Sequence, residues 1–425
     1  MLESYKAIKI NINESAILNS IDEKQSAMIE QLLAWSSVNS GSHNREGLQV
    51  MRRLLIEAAS DLPGEVKECR LDAGEYVNTS GDKEIVEYEP AVHISVRPEA
   101  PIKLVLTGHY DTVFPKDFHF QSPTYVDDDT VNGPGTADMK GGIIVMLEAL
   151  KALEMSKHAH KIGYDVLLSP DEEIGSPGSA GQLRKLGQTA HVGLTFEPAL
   201  ADGSMAGARK GSGNFALIIR GKAAHAGREH HLGRNAIAAM AKFIVELDTL
   251  NGAREGVTFN IAKVDGGGAS NIVPELAIGR FNVRVKAQDD DLWVTEQLNA
   301  LTANMNAIDG ISAELTGGFT RPPKPMAPAN KVVFNWVKQA GACLGQDIRW
   351  APSGGVCEGN NLWAAGCPNV DTLGVRGGNI HSDREYIKLS SLAERTKLAA
   401  LIMLKLASGD FDAHAVKALA LKGHT

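Results

Sequence analysis

Short apolar segments that suit β-strands alternate with segments of helical periodicity along the first half of the chain. The strand candidates are AVHISVR (91–97), KLVLTG (103–108), YDVLLSP (164–170) and HVGLTFEP (191–198). The segments between them carry apolar residues at helical spacing, and one helix is predicted from about Met139 to Met155. Strands of this kind form a buried, largely parallel sheet, with functional side chains on loops beyond the strand C-termini.

The pattern changes near residue 210. From there to residue 321 the order of predicted elements is β-α-β-β-α-β, which is typical of a small, ferredoxin-like α+β domain with an antiparallel sheet. The segment TRPPKPMAP (320–328) then resembles a linker, and helix and strand patterns resume after it. We therefore predict one α/β domain formed by residues 1–209 and 322–425, interrupted by an inserted domain at 210–321.

Charge and apolar patterning narrow the class of protein. The chain has 51 acidic and 43 basic residues, and this negative balance argues against a nucleic-acid partner, which favours a basic surface. We find neither an apolar run long enough to cross a membrane nor the pattern of a signal peptide at the N-terminus. The four cysteines include no C-x-x-C pair. We expect a cytoplasmic protein that acts on small molecules.

The strand candidate KLVLTG leads into the segment GHYDTV, which places two side chains that can take part in metal binding at the end of the strand. Here His109 and Asp111 are two residues apart in an extended segment, so their side chains point to the same side. Asp111 can then accept a hydrogen bond from one ring nitrogen of His109 while the other nitrogen binds a metal. Taken alone, the pair is more simply interpreted as a solvated strand end.

Carboxylates occupy comparable positions in three further segments. Asp138 lies in the glycine-rich turn GPGTADMKGG, where it can bridge two cations or cap the helix that follows. Glu172 and Glu173 end a strand in LLSPDEEIGS. They project in different directions, so one can bind a metal while the other acts as a general base, although an acidic surface turn is the alternative. Glu197 follows another strand in LTFEPA.

His381, in the glycine-rich loop RGGNIHSDREY, completes a set of two histidines and three metal-binding carboxylates. Such a set suits two divalent ions, with zinc favoured and Co²⁺ or Mn²⁺ as substitutes. A two-metal site needs a bridging carboxylate and terminal ligands on each ion. One division that meets this count has Asp138 bridging an ion held by His109 and Glu197 and an ion held by Glu173 and His381. The sequence leaves other divisions of the terminal ligands open.

From about residue 25 to 410 the chain resembles the co-catalytic zinc exopeptidase and aminoacylase family, which includes glutamate carboxypeptidase, acetylornithine deacetylase and succinyl-diaminopimelate desuccinylase. The ordered motifs that carry the resemblance are GHYDTV, GPGTADMKGG, DEEIGS, FEP, GKAAHAG, GASNIVP and IHSDREY. The resemblance implies a zinc-exopeptidase-like catalytic domain interrupted by a lid and dimerisation domain. It also implies two Zn²⁺ per chain and five ligands: His109, Asp138, Glu173, Glu197 and His381.

The resemblance implies roles for four further residues. Asp111 would orient His109, and Glu172 would be the general base. His225 in GKAAHAG matches a histidine that reaches the partner's active site in a homodimer formed through the inserted domain, whereas without the resemblance it is an ordinary surface histidine. Asn271 in SNIVP matches a residue that helps to bind substrate.

Arg284 in NVRV and Arg321 in FTRPP match positions at which carboxypeptidase relatives hold the substrate's carboxylate. A guanidinium group suits this task because it donates two parallel hydrogen bonds. From the residues alone, Arg284 is equally an exposed strand residue and Arg321 a solvated linker residue. The chain departs from many relatives at SGGVCEGNN, where they have a Gly-Gly-Thr-Asp-like segment. We expect Cys357 and Glu358, within this segment, to line the substrate pocket.

These features together predict an amide hydrolase that cleaves a peptidyl or N-acyl amino acid with a free carboxylate, as in the glutamate carboxypeptidase branch. Glu172 would take a proton from water and pass it to the leaving amine, and His225 of a neighbouring subunit would stabilise the oxyanion. An N-acyl amino acid deacylase, of the acetylornithine deacetylase or desuccinylase type, is the alternative enzyme. A catalytically inactive relative that serves as a binding or dimerisation module is disfavoured by the intact ligand set.

Overall fold

The structure is a computed structural model that describes residues 8–423. The helices are α1 (Ile12–Asp22), α2 (Gln25–Ser36), α3 (Arg45–Ala59), α4 (Gly141–Glu154), α5 (Ala180–Thr189), α6 (Ala236–Asp248), α7 (Gln288–Asn306), α8 (Pro328–Cys343), α9 (Glu358–Ala364), α10 (Ser391–Ser408) and α11 (Ala413–Gly423). Within residues 8–423, none of the helices is long and apolar enough to cross a membrane.

The strands, in chain order, are β1 (Glu65–Cys69), β2 (Gly74–Val77), β3 (Lys83–Val86), β4 (Ala91–Val96), β5 (Ile102–His109), β6 (Thr124–Asp127), β7 (Thr130–Asn132), β8 (Ile162–Ser169), β9 (Val192–Thr195), β10 (Met205–Arg209), β11 (Gly211–Arg220), β12 (Thr258–Gly266), β13 (Leu276–Val285), β14 (Ser312–Arg321), β15 (Trp350–Ser353), β16 (Asn369–Val370), β17 (Gly377–Gly378) and β18 (Tyr386–Lys388).

A six-stranded mixed sheet with the order β1-β4-β8-β5-β9-β16 forms the centre of the larger domain. β5 runs parallel to β8 and β9, and β9 runs parallel to β16. At the other edge of the sheet, β4 pairs antiparallel with β8, and β1 pairs antiparallel with β4. Leu104 and Leu106 pack with α4 and α10 on one face, and Val105 packs with Leu183 and Leu362 on the other. Burial on both faces explains why these strands are nearly continuous apolar runs. The predicted, largely parallel sheet is confirmed.

The neighbouring parallel strands end at one edge of this sheet. β5 ends at His109, which lies opposite Ser169, the last residue of β8. β9 ends at Thr195, and Glu197 follows two residues later. Glu172 and Glu173 likewise follow the end of β8, so three predicted segments of the site converge at the carboxyl edge of the sheet.

A smaller sheet, with the order β17-β18-β7-β6, brings two more loops to the same place. Asp138 lies in the turn between β7 and α4, and His381 lies in the loop between β17 and β18. Because β18 pairs with β7, these two loops are adjacent although they are far apart in sequence. Gly135, which precedes the turn, has a φ of 69°, a left-handed conformation that favours glycine.

A separate antiparallel sheet, with the order β12-β13-β11-β14, lies between residues 211 and 321. The element order β11-α6-β12-β13-α7-β14 agrees with the predicted β-α-β-β-α-β pattern. The two helices cover one face of the sheet and form a second hydrophobic core with it, in which Phe243, Phe281 and Leu298 are buried. This separate core makes the segment an inserted domain in its own right.

Candidate metal centre and active site

Asp138 lies between the two histidines of the predicted ligand set. Its Oδ1 atom is 3.2 Å from His109 Nε2, and its Oδ2 atom is 3.3 Å from His381 Nε2. The residue is 5% exposed, and its backbone (φ −118°, ψ 89°) is not helical. Its carboxylate therefore faces two imidazoles rather than capping α4, the alternative that the sequence left open.

Glu197 and Glu173 occupy the two ends of this arrangement. Glu197 Oε1 is 3.8 Å from His109 Nε2, and Glu173 Oε2 is 3.2 Å from His381 Nε2. One group thus consists of His109 and Glu197 beside Asp138 Oδ1, and the other of His381 and Glu173 beside Asp138 Oδ2. These contacts bring all five predicted side chains together. The ligand atoms of His109, Asp138 and Glu173 lie within 4.8 Å of one another, as do those of His109, Glu172 and Glu197, so either group could hold a metal ion.

The surroundings of the histidines and glutamates in this cluster shift their pKa values towards the protonated forms. Burial raises the pKa of Glu197, and the nearby charges of Glu172 and Asp138 raise it further. Hydrogen bonds to Asp138 and Glu173 raise the pKa of His381 to about 11. Burial acts to lower the pKa of His109, but its contacts with Asp111 and Asp138 outweigh this effect and raise it. Two imidazoles among three buried carboxylates are a donor set that divalent cations would neutralise.

We expect zinc binding to the metal-free protein to release protons and to tighten as the pH rises. His381, with a pKa of about 11, and Glu173, with a pKa raised to about 8 by burial and the charge of Asp138, hold protons at neutral pH, and metal ligands must lose those protons. Zinc titrations by calorimetry at pH 6.5 and pH 8, in buffers of different ionisation enthalpy, measure both effects. A binding heat that does not depend on the buffer, with equal affinity at the two pH values, would contradict this expectation.

Asp111 connects His109 to the turn that carries Glu172 and Glu173. His109 Nδ1 lies 3.3 Å from Asp111 Oδ1 and 3.0 Å from its carbonyl oxygen, so one ring nitrogen is engaged and the other faces Asp138. The carboxylate of Asp111 also accepts the backbone N–H groups of Glu172 and Glu173, both at 3.2 Å, and the hydroxyl of Ser42 at 2.7 Å. A fully buried carboxylate thus orients His109 and holds the turn that carries the predicted base.

Glu385 is a further residue of the candidate site, to which the sequence assigned no role. It is buried, and its carboxylate accepts the backbone N–H groups of Gly135, Ala137 and Asp138 at 2.9–3.0 Å. Since it follows His381 by four residues, it ties the loop of one ligand to the loop of another. The signal in the sequence is that Glu385 lies in the motif IHSDREY, four residues after His381, and this position by itself assigns it no role.

We expect the substitution Glu385→Gln to weaken zinc binding by about 10–100-fold, which is the usual effect of losing a residue that orients a metal ligand through hydrogen bonds. The amide keeps the size of the side chain but loses one of the acceptor oxygens that hold the Asp138 loop. Competition with a zinc chelator measures the change. Glu87→Gln, on the exposed surface, serves as the control. Equal zinc affinity in both variants and the wild type would show that Glu385 has no such role.

Arg284 in β13 and Arg321 in β14 lie on the two strands that flank β11, each opposite Ser212. Arg284 is partly buried, and its Nη1 atom has no hydrogen-bond partner. Burial and the positive charge of Arg321 lower the pKa of Arg284. Arg321 instead contacts Glu172 and Ser176. A pair of guanidinium groups near Glu172 creates a positive region beside the predicted base.

His225 and Asn271 lie together at the surface of the inserted domain. Both are exposed, and the backbone N–H of Ala226 donates to the carbonyl of Asn271. The ring of His225 accepts the N–H groups of Gly227 and Arg228. Among residues 8–423 neither side chain bonds to the metal-ligand set. Their roles at a partner's active site and in substrate binding stay predictions.

Cys357 and Glu358 do not line a pocket, contrary to expectation, because neither has exposed surface. They begin α9, where Cys357 Sγ accepts the N–H of Gly359 and Glu358 Oε1 accepts the hydroxyl of Ser169. Burial raises the pKa of Glu358 to about 8. The departure from the Gly-Gly-Thr-Asp-like segment therefore changes the packing behind the site rather than its lining.

Two histidines and two glutamates around an aspartate, at the carboxyl edge of an α/β sheet, are characteristic of a metallohydrolase. The comparison with family models places the chain more narrowly: the model of "Peptidase family M20/M25/M40" matches residues 105–405. The chain belongs to this family.

The relatives include peptidases and deacylases. Carboxypeptidase G2 of Pseudomonas sp. is 27% identical over 402 residues, which are 93% of each chain. A succinyl-diaminopimelate desuccinylase of Bordetella parapertussis is 28% identical over 308 residues, covering 68% of this chain and 79% of the relative. The metallo-carboxypeptidase Sso-CP2 of Sulfolobus solfataricus has the same fold, with a TM-score of 0.68 at 18% identity over 88% of this chain and 98% of the other.

Proposed function

We propose that the chain is a dinuclear zinc hydrolase that cleaves the amide bond of a peptidyl or N-acyl amino acid with a free carboxylate. The observation that carries the proposal is the placement of Asp138 between two ligand groups, with Glu172 beside one of them. The similarity to carboxypeptidase G2 along nearly the whole of both chains supports the carboxylate-bearing substrate.

The donor set fits two zinc ions. Asp138 would bridge them, with His109 and Glu197 holding one ion and Glu173 and His381 the other. When bound, such a pair of ions supplies Lewis acidity, which activates a water molecule and polarises the carbonyl group under attack.

Glu172 performs the proton transfers in this proposal. Its backbone N–H is fixed by Asp111, and its carboxylate can approach to within 4.8 Å of the ligand atoms of His109 and Glu197. It accepts a proton from the attacking water and donates it to the nitrogen of the leaving amine. Its burial excludes bulk water, which would compete for the same proton.

Arg284 is the group best placed to bind the substrate's carboxylate. Its unpartnered Nη1 atom can donate to an anion, and such a charge-assisted bond is stronger than a neutral one. We further propose that His225 acts across a homodimer formed through the inserted domain, because its ring is exposed and, among residues 8–423, bonds to backbone groups of its own loop and to none of the metal-ligand side chains.

The substrate class can be tested with zinc-loaded protein, using N-benzoyl-L-glutamate beside N-acetylornithine, with a chelator as control. We expect faster, chelator-sensitive cleavage of the benzoyl-glutamate. The side chain of ornithine carries an ammonium group that Arg284 and Arg321 would repel, whereas the side chain of glutamate carries none. Preference for N-acetylornithine would favour the deacylase alternative, which the similarity to desuccinylases also supports. Equal cleavage with and without chelator would refute the metal-dependent mechanism.

A further inference from the structure

Arg321 contacts the predicted base rather than an open pocket. Its Nη2 atom lies 2.7 Å from the carbonyl oxygen of Glu172, 2.7 Å from Ser176 Oγ and 2.9 Å from Glu172 Oε1. The residue is only 4% exposed, and its Nε atom is buried without a partner. Arg284, in contrast, is more exposed and donates no hydrogen bond from Nη1. The two arginines to which the sequence assigned one task therefore have different surroundings.

The backbone on both sides of Arg321 is anchored to the larger domain. Asn361 Nδ2 donates to the carbonyl oxygen of Thr320 at 2.9 Å, and Asn360 Nδ2 donates to that of Pro322 at 2.7 Å. Both asparagines belong to α9, which packs against the central sheet through its contacts with β5 and β9. Arg321 is thus fixed relative to the central sheet although it ends a strand of the inserted domain.

The other connection to the inserted domain is fixed in the same way. Asn360 Nδ2 also donates to the carbonyl oxygen of Lys210 at 2.8 Å. The backbones of Arg209 and Lys324 exchange two hydrogen bonds, at 2.8 and 3.0 Å, and the side chains of both residues bind the fully buried Asp371. Both connections of the inserted domain are therefore bonded to the larger domain, next to the position at which Ser212 pairs with Arg321.

We propose that Arg321 is a positioning residue that holds Glu172 in the geometry for proton transfer, while Arg284 alone of the two arginines binds the substrate's carboxylate. The contact with the Glu172 carbonyl fixes the turn, and the contact with its carboxylate fixes the side chain. Catalytic groups need such support because small displacements are costly in rate. This inference rests on the proposed function, since it takes Glu172 as the base.

The test compares Arg321→Met with the matched variant Arg284→Met, using N-benzoyl-L-glutamate and its α-carboxamide analogue as substrates. For Arg321→Met we expect kcat to fall by about 100-fold with both compounds, with KM nearly unchanged, because a misplaced base slows both equally. For Arg284→Met we expect KM for the acid to rise by about tenfold or more, as a charged hydrogen bond is lost. The preference for the acid over the carboxamide then disappears only in Arg284→Met.

Arg321→Lys keeps a positive charge on a shorter side chain without the planar guanidinium group, so it should restore part of kcat. An Arg321→Met enzyme that keeps kcat but no longer prefers the acid would overturn the proposal, because Arg321 would then bind substrate. A crystal structure of zinc-loaded Arg321→Met, or of Arg321→Lys if the first does not fold, decides the matter independently of any substrate. A displaced Glu172 with unmoved ligands is expected, and an unmoved Glu172 overturns the inference. Failure of the wild type to cleave either compound would refute the proposed substrate alone.

Discussion

The substitution Glu172→Gln is expected to reduce kcat by about 10³–10⁴-fold, at the upper end of what general acid–base catalysis contributes. Glutamine has the same size as glutamate and can keep the contact of its side-chain oxygen with Arg321, but it cannot take a proton from water. The Glu172 N–H that donates to Asp111 and the Glu172 carbonyl that accepts from Arg321 are both backbone groups. The substitution therefore leaves these two hydrogen bonds unchanged. The turn should therefore stay folded and the metal ligands stay in place.

The substitution Glu173→Gln is the matched control for Glu172→Gln, because it tests a predicted metal ligand next to the predicted base. Glu173→Gln removes a carboxylate that contacts His381, so it should reduce the zinc content, whereas Glu172→Gln should leave two zinc ions per chain. Zinc analysis by mass spectrometry alongside steady-state kinetics measures both quantities. A Glu172→Gln enzyme with wild-type kcat would show that another group is the base. Loss of zinc from this variant would show that Glu172 is a ligand.

The substitution Asp138→Ala should have an equally large effect, because both ligand groups share this carboxylate. We expect zinc affinity to fall at both positions. The fall should exceed the roughly 10–100-fold loss that follows when a residue hydrogen-bonded to a metal ligand is removed. His381→Ala removes a ligand from one group only and should leave one tight site. Activity should be lost in Asp138→Ala even when zinc is added at concentrations that saturate the wild type.

Thermal unfolding with added zinc measures the loss independently of activity. Zinc at 100 times its Kd stabilises a protein by about 2.7 kcal/mol for each site, so the wild type should show a clear rise in Tm. Asp138→Ala should show little rise, and His381→Ala an intermediate one. If Asp138→Ala binds two zinc ions with wild-type affinity, Asp138 does not bridge them.

The five candidate metal ligands could be singled out in the sequence because they lie where the chain pattern changes abruptly. His109 and Glu197 end or follow apolar strands, and Asp138 and His381 lie in glycine-rich loops. A strand pattern fixes where a side chain emerges, and parallel strands bring their carboxyl ends together. The division of the ligands between two positions could not be predicted, because it depends on the pairing of β18 with β7 in a separate small sheet.

Other features of the site depend on contacts that leave no trace in a local pattern. Glu385 acts through backbone N–H groups about 250 positions earlier in the chain, and any residue type can supply those groups. The segment TRPPKPMAP has the composition of a linker, yet Arg321 within it is buried against Glu172. Amide side chains in α9 hold that segment, so its order derives from tertiary contacts rather than from local propensity.

Anomalous diffraction from zinc-soaked crystals would locate the two cations that we propose on either side of Asp138. We predict two zinc peaks about 3.5–4 Å apart, the separation typical of two-metal sites, one on each side of the Asp138 carboxylate. The first should be bound by His109 and Glu197, and the second by Glu173 and His381. A single peak, or two peaks that do not share Asp138, would contradict the account.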